Sequence, residues 1–354
     1  MSRKLITIST IMTLMSTSVI ADVPNVAADI APIHSLVSRV MDGVGAPKLI
    51  VQSGASPHGY RLRPSEAKAL QDADHVFWMG EELTPWLDSA IGTLASKASV
   101  TTLLDQQGVI LHDFREGALF EAHDHSAHGD DDHDDHDDHD DHDDHKDHDD
   151  HDDHKDHDDH KDHDDHDDHK DHDDHDDHDD HDDHGSHDPH AWLSPENAKL
   201  WLNIIASKLS VSDPENAATY FMNAAAGQAE IEAMIAEVKA TLKPVQGGKF
   251  VVFHDAYQYF ENDFDFYASG AISLGDSSDP SPARIEKVQK RIRDEGIQCV
   301  LAEPQFKKGL VATVMEGSDA TASVIDPLGV ELETGPKLYT RLIKNMAKTL
   351  RNCL

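Results

Sequence analysis

Three histidines lie at positions where a metal site could form. His58 is in the stretch GASPHGYRLRPSEA, His190 in DPHAWLSPENA and His254 in FVVFHDAYQYF. His58 and His254 follow predicted strands, and His190 lies just ahead of a predicted helix that has Ser194 as its N-cap. Parallel sheets bind ligands outside the carboxyl ends of their strands, so the three imidazoles can meet in one crevice. Such a set favours Zn²⁺ over Mg²⁺ or Ca²⁺, although spacing alone leaves open that each histidine is an ordinary polar residue.

Strands alternate with helices on both sides of the repeat-rich middle of the chain, which predicts an α/β fold with two parallel sheets flanked by helices. In the first half, strands are predicted at 25–28, 48–52, 75–79 and 100–104, and helices at 33–41, 65–72 and 84–94. In the second half, strands are predicted at 249–253, 267–272, 298–302 and 322–325, and helices at 256–261, 282–294, 308–315 and 337–350.

One long helix is predicted between the two halves. Asp213 suits an N-cap and Pro214 the first helical position, apolar residues then recur every three or four positions, and Pro244 ends the pattern. The helix has about 29 residues, or about 43 Å. As a rigid link between two small domains it predicts modest closure on ligand binding. The alternative is a helix packed wholly within one domain.

The predicted organisation has four parts. Residues 1–21 have the features of a secretory signal peptide, with the alternative of an N-terminal membrane anchor. An N-terminal α/β domain covers 22–213 and contains a His/Asp-rich insert at about 122–187. The linking helix covers 214–243, and a C-terminal α/β domain covers 244–354.

The insert carries most of the net charge of −39, because 33 Asp and four Lys between residues 130 and 184 contribute −29. This acidity argues against nucleic acid or an anionic membrane as a partner. With almost no apolar residues, the repeat is predicted to be disordered without metal. Its histidines, such as His133, His136 and His139, are expected to bind Zn²⁺ weakly; the alternative is a repeat expansion in a tolerated loop.

Cys299 and Cys353 are the two cysteines of the chain. In an exported protein such a pair suggests one disulfide, worth about 4 kcal/mol in the chain-entropy model. Two buried free thiols are the alternative.

Five stretches carry a family resemblance: GASPHGYRLRPSEAKALQDAD, HAWLSPENA, FVVFHDAYQYF, CVLAEPQF and IDPLG. They span the mature chain, which resembles the periplasmic zinc-binding components of high-affinity zinc ABC importers, a group of metal-specific solute-binding proteins. The resemblance implies a monomeric periplasmic receptor that binds Zn²⁺ and delivers it to an inner-membrane ABC permease.

The resemblance also implies the ligands. His58, His190 and His254 match the family's metal-binding histidines, and manganese-specific relatives typically have a carboxylate where this chain has His254. A fourth ligand is either water or Asp326 in IDPLG, because Pro57 stands where some zinc-specific members carry a Glu. The family's C-terminal disulfide matches Cys299 with Cys353.

No enzymatic activity is expected, since the sequence has no HExxH or comparable set. Glu303 and Asp255 are interpreted as structural groups or as acceptors for a ligating imidazole. His34, His75 and His112 are assigned no role in metal binding. Two other functions stay open: a zinc storage or buffering protein that acts through its repeat, and a manganese-specific relative, against which His254 argues.

Overall fold

The computed structural model describes residues 23–115, 119–120, 187–273, 275, 280–305 and 308–354. The predicted signal peptide lies outside these residues. So does the Asp-Asp-His repeat, including His133, His136 and His139.

The N-terminal sheet has four parallel strands in the order β2-β1-β3-β4. Its central strands β1 and β3 are buried along their whole length, which matches their apolar composition. Helices connect successive strands, as parallel pairing requires. The strands are β1 (Val26–Ala28), β2 (Lys48–Leu49), β3 (His75–Trp78) and β4 (Ser99–Thr102), and the helices are α1 (Ala31–Val40), α2 (Pro64–Gln71) and α3 (Pro85–Leu94).

The C-terminal sheet repeats this plan, with four parallel strands in the order β6-β5-β7-β8. The sequence FVVFH forms its central strand β5, in which every residue is buried. The strands are β5 (Phe250–His254), β6 (Ala271–Ser273), β7 (Cys299–Ala302) and β8 (Thr321–Val324), and the helices are α6 (Gln258–Phe264), α7 (Pro282–Glu295), α8 (Lys308–Met315) and α9 (Leu338–Cys353). The two sheets confirm the predicted α/β class.

In chain order, two helices lie between the strands of the first sheet and those of the second: α4 (Pro195–Ser212) and α5 (Ala217–Leu242). The long helix α5 has 26 residues and begins at Ala217, three residues later than predicted. The reason is local: the Asp213 carboxylate accepts hydrogen bonds from the Asn216 backbone N–H and side chain, at 3.3 and 2.8 Å, and so forms a turn ahead of the helix. Within the described part of the chain, no helix has both the length and the apolar character needed to cross a membrane.

The two halves share one hydrophobic core. Helix α5 packs against α1 from the first half and against α9 from the second, and α1 and α9 also contact each other. There the Ser35 hydroxyl donates to the Gly335 carbonyl at 2.7 Å and accepts from the Tyr339 N–H at 3.0 Å. A single buried cluster extends from Val26 to Leu350 across both halves. These contacts join the halves along a broad surface.

The predicted disulfide is present. Cys299, the first residue of β7, is bonded to Cys353, the last residue of α9, with a Cα–Cα distance of 5.6 Å. It fixes the C-terminal helix to the sheet.

Candidate metal centre

His58, His190 and His254 converge on one point. Each offers a ring nitrogen, and the three nitrogens all lie within 4.8 Å of one another. The ring centroids are 5.5 Å apart for His58 and His190, 6.3 Å for His58 and His254, and 5.0 Å for His190 and His254. The structure thus brings together the three histidines singled out from the sequence.

The backbone around His190 and His254 is regular and buried. His254 is the last residue of β5, and a turn follows in which the Ala256 N–H donates to the His254 carbonyl at 3.0 Å. His190 precedes a short 3₁₀ turn and then α4, whose N-cap is Ser194 as predicted; its hydroxyl accepts from the Asn197 N–H at 3.3 Å. Both imidazoles are almost completely buried, at 4% and 3% exposure.

Carboxylates orient these two rings. His190 Nδ1 lies 2.6 Å from Asp188 Oδ1, and His254 Nδ1 lies 2.7 Å from Glu303 Oε1. An Nδ1–H donated to a carboxylate leaves the lone pair of a neutral imidazole on Nε2. The two Nε2 atoms are 3.2 Å apart. In that tautomer both Nε2 atoms could serve as ligands to one ion.

His58 is held differently, on a loop between β2 and α2 without regular structure. Its backbone N–H donates to the Ser56 hydroxyl at 3.2 Å. The preceding carbonyl, of Pro57, accepts from the Trp86 indole N–H at 2.7 Å, and the Trp86 ring packs against Tyr60 with centroids 5.6 Å apart. Backbone contacts thus place this half-buried histidine at the edge of the site.

Asp326, which was considered as a fourth ligand, accepts hydrogen bonds within its own turn. Its Oδ1 accepts from the N–H groups of Leu328 and Gly329 at 3.0 and 2.8 Å, and its Oδ2 accepts from Val330 at 2.6 Å. Among the described residues, the cluster of possible ligand atoms contains the three imidazoles and no Asp326 oxygen.

Of the two acidic groups proposed from the sequence, Glu303 contacts a histidine of the triad, and its second oxygen accepts from Gln305 Nε2 at 2.7 Å. Asp255 instead pairs with Arg115, which sequence reasoning missed. Asp188 was also missed, although its place two residues before His190 in DPH was a usable signal.

Burial shapes the electrostatics of the site. It raises the pKa of Asp188 to about 6, opposed by the His190 N–H and by the positive charge of Arg115. It also raises the pKa of the Asp255 carboxyl, against the lowering effect of Arg115. The hydroxyl pKa of Tyr257 is raised well above its ordinary value by burial and by Glu303. A divalent cation bound at this place would offset the buried negative charge.

The other three histidines that we considered contact polar groups elsewhere. His34 Nε2 lies 3.1 Å from the Pro47 carbonyl oxygen, and His75 Nε2 lies 2.7 Å from the Ser212 hydroxyl. His112 Nε2 lies 3.2 Å from the Asn262 side-chain nitrogen. None of them belongs to the metal-ligand cluster of the described residues.

Comparison with known proteins agrees with this architecture. The chain is 46% identical over 329 residues to the high-affinity zinc uptake system protein ZnuA of Brucella abortus (strain 2308), covering 93% of this chain and 91% of that protein. It is 43% identical over 335 residues to the ZnuA protein of Paracoccus denitrificans (strain Pd 1222), covering 94% and 93%. A crystal structure of ZnuA shares the fold with a TM-score of 0.66 at 19% identity, covering 94% of this chain and 99% of that one. The model of one family, ZnuA, the periplasmic zinc-uptake complex component A, matches residues 26–353, and the chain belongs to that family.

Proposed function

We propose that this protein is a periplasmic receptor that binds one Zn²⁺ through His58, His190 and His254 and delivers it to an ABC-type permease for import. The observation that carries the proposal is the convergence of three ring nitrogens within 4.8 Å of one another. Membership of the zinc-uptake family supports zinc as the cargo and the periplasm as the compartment. The predicted signal peptide, cleaved after Ala21, fits the same compartment.

The donor set supports Zn²⁺ over Mn²⁺. Neutral imidazoles suit zinc, whereas manganese is better served by carboxylates and water. In this site two carboxylates, Asp188 and Glu303, lie within hydrogen-bond distance of the Nδ1 atoms of His190 and His254. They act on the metal through the rings, since a carboxylate that accepts from Nδ1 raises the basicity of Nε2.

Water is the proposed fourth ligand. Three protein ligands leave one tetrahedral position for zinc. Both Asp326 oxygens already accept backbone hydrogen bonds, which disfavours a shift of that carboxylate onto the metal. We propose binding without catalysis, because the acids near such a water are engaged: Glu303 by His254 and Gln305, and Asp255 by Arg115.

The proposed domains are 22–213, a linking helix at 214–243 and 244–354, with the site between them. Helix α5 packs against helices from both halves, and this supports a link that keeps the halves at a nearly fixed distance. Metal binding should then reorder the His58 loop and tilt one half slightly. The receptor is proposed to act as a monomer.

Zinc titration of a variant that lacks residues 130–184, against a competing chelator, tests the proposal. We expect one tight Zn²⁺ per chain, and the loss of most of that affinity in His254→Ala. His75→Ala is the matched control, because His75 is also a buried strand histidine with a hydrogen-bonded ring. It should keep the tight site. A storage protein that works through its repeat would instead lose nearly all binding on deletion.

A further inference from the structure

Arg115 forms a double ion pair beside the metal centre. Its guanidinium contacts both oxygens of Asp255, with Nε at 3.0 and 3.1 Å, and both oxygens of Glu261, with Nη1 at 2.6 Å and Nη2 at 3.2 Å. All three side chains are largely buried, at 14% exposure for Arg115, 7% for Asp255 and 1% for Glu261. A buried fork of this kind fixes its partners in orientation as well as in charge.

The two carboxylates belong to the segment that follows His254. Asp255 is the next residue after His254, and Glu261 lies in α6. Arg115 lies ahead of the insert, in the segment that follows β4. It also influences Asp188, whose carboxylate holds His190. Arg115 thus contacts Asp255, which follows His254, and acts electrostatically on Asp188, which contacts His190.

Further contacts tie the Arg115 segment to the same place. The His112 N–H donates to the Tyr259 hydroxyl at 3.1 Å, and the His112 carbonyl accepts from the Asp188 N–H at 2.8 Å. The Arg115 guanidinium lies 3.7 Å from the centroid of the Phe120 ring. Arg115 therefore has a fixed position from which it can hold Asp255.

We infer that Arg115 is a positioning residue of the metal centre, which sets the geometry of His254 by fixing the carboxylate of Asp255. This inference rests on the proposed zinc site. The contacts described for Arg115 are with Asp255, Glu261 and the Phe120 ring. In this role it acts on His254 through Asp255, the next residue along the chain.

The charge of Arg115 and its positioning role predict opposite effects of its removal on zinc affinity. By Coulomb's law, removing the positive charge of Arg115 leaves two buried carboxylates near the cation site, which should strengthen Zn²⁺ binding if the geometry is unchanged. If Arg115 positions His254, its loss should weaken binding by about 10- to 100-fold, the range found when groups that orient metal ligands are changed. The sign of the change separates the two roles.

The experiment measures zinc affinity by chelator competition, and zinc dissociation by stopped flow, for Arg115→Met and Arg115→Lys in the full chain. We expect weaker binding and faster dissociation in both variants. Lysine keeps the charge but lacks the planar fork, and so cannot hold both carboxylates in the same way. Unchanged or tighter binding in Arg115→Met overturns the inference, and so does wild-type affinity in Arg115→Lys, which is also the variant less prone to misfold.

Arg39→Met is the matched control. Arg39 also forms a two-pronged pair, with Glu230 at 3.1 and 3.0 Å, and is 13% exposed, but it joins α1 to α5. The substitution Arg39→Met should lower the melting temperature without changing zinc affinity. In one outcome the wild-type protein binds zinc tightly and loses that binding in His254→Ala, while the Arg115 variants keep the wild-type affinity. That outcome rejects only the positioning role. Absence of that tight site rejects the proposed function itself.

Discussion

The candidate site has a stiff side and an adaptable side. His190 and His254 are buried, end or begin regular elements, and have their rings held by Asp188 and Glu303. His58 is half-buried on an irregular loop that is anchored through backbone groups of its neighbours. The difference predicts that the His190 and His254 rings keep their positions when an ion binds, and that the His58 loop adjusts more readily.

The largest loss of zinc affinity should come from a substitution on the stiff side, at the carboxylate behind His254. Glu303→Gln keeps the shape of the side chain but removes the charge that orients and polarises His254. We expect zinc affinity to fall by about 10- to 100-fold. Chelator competition at neutral pH measures this loss.

Glu237→Gln is the control for that change, because Glu237 is an exposed α5 residue paired with Lys344. It should bind zinc like the wild-type protein. Equal affinities for the two variants would show that the carboxylate behind His254 does not tune the metal site.

A smaller effect should come from the adaptable side. Trp86→Phe removes the indole N–H that donates to the Pro57 carbonyl, while it keeps an aromatic ring beside Tyr60. One neutral hydrogen bond is worth about 1 kcal/mol, so zinc affinity should fall about fivefold, chiefly through faster dissociation. Stopped-flow release of zinc to a chelator measures the rate.

Trp201→Phe provides the matched control for Trp86→Phe. The Trp201 indole also donates to a backbone carbonyl, that of Leu103 at 3.1 Å, but on α4. It should leave the dissociation rate unchanged. If Trp86→Phe costs as much affinity as Glu303→Gln, the loop is as preorganised as the strand end, and the comparison fails.

The α/β pattern placed His58 and His254 at strand ends, where ligands bind, but spacing alone left each histidine open as an ordinary polar residue. The family resemblance of the motifs around His58, His190 and His254 is what singled out the set of three. Sequence reasoning was less able to identify the groups that hold these histidines in place. Arg115 meets Asp255 across 140 residues of sequence, and no periodicity reports a contact of that kind. The start of α5 was misplaced for a local reason, since the Asp213 side chain forms a turn that competes with helical capping.

Another buried acid, Asp29, extends the comparison to a carboxylate whose described hydrogen bonds are to backbone N–H groups. It follows β1, is completely buried, and accepts hydrogen bonds from the N–H groups of Ile30 and Met79, both at 2.7 Å. Burial raises its pKa from 3.8 to about 7 despite these bonds. Asp29 therefore binds a proton more tightly in the folded than in the unfolded chain.

The smallest effect on zinc binding, with a clear effect on stability, is thus expected from Asp29→Asn. Between pH 3.8 and about 7 the folded protein holds a proton at Asp29 that the unfolded chain has released. The free energy of unfolding should accordingly fall as pH rises through this window, by about 1.4 kcal/mol per pH unit from this group. In Asp29→Asn that contribution disappears, so the metal-free variant should show a flatter dependence of unfolding free energy on pH, whatever its absolute stability. Urea unfolding at several pH values measures the slope, and parallel curves for variant and wild type would mean that Asp29 titrates normally. Zinc affinity at neutral pH should be nearly unchanged, because the hydrogen bonds described for the Asp29 carboxylate are to backbone N–H groups at strand ends.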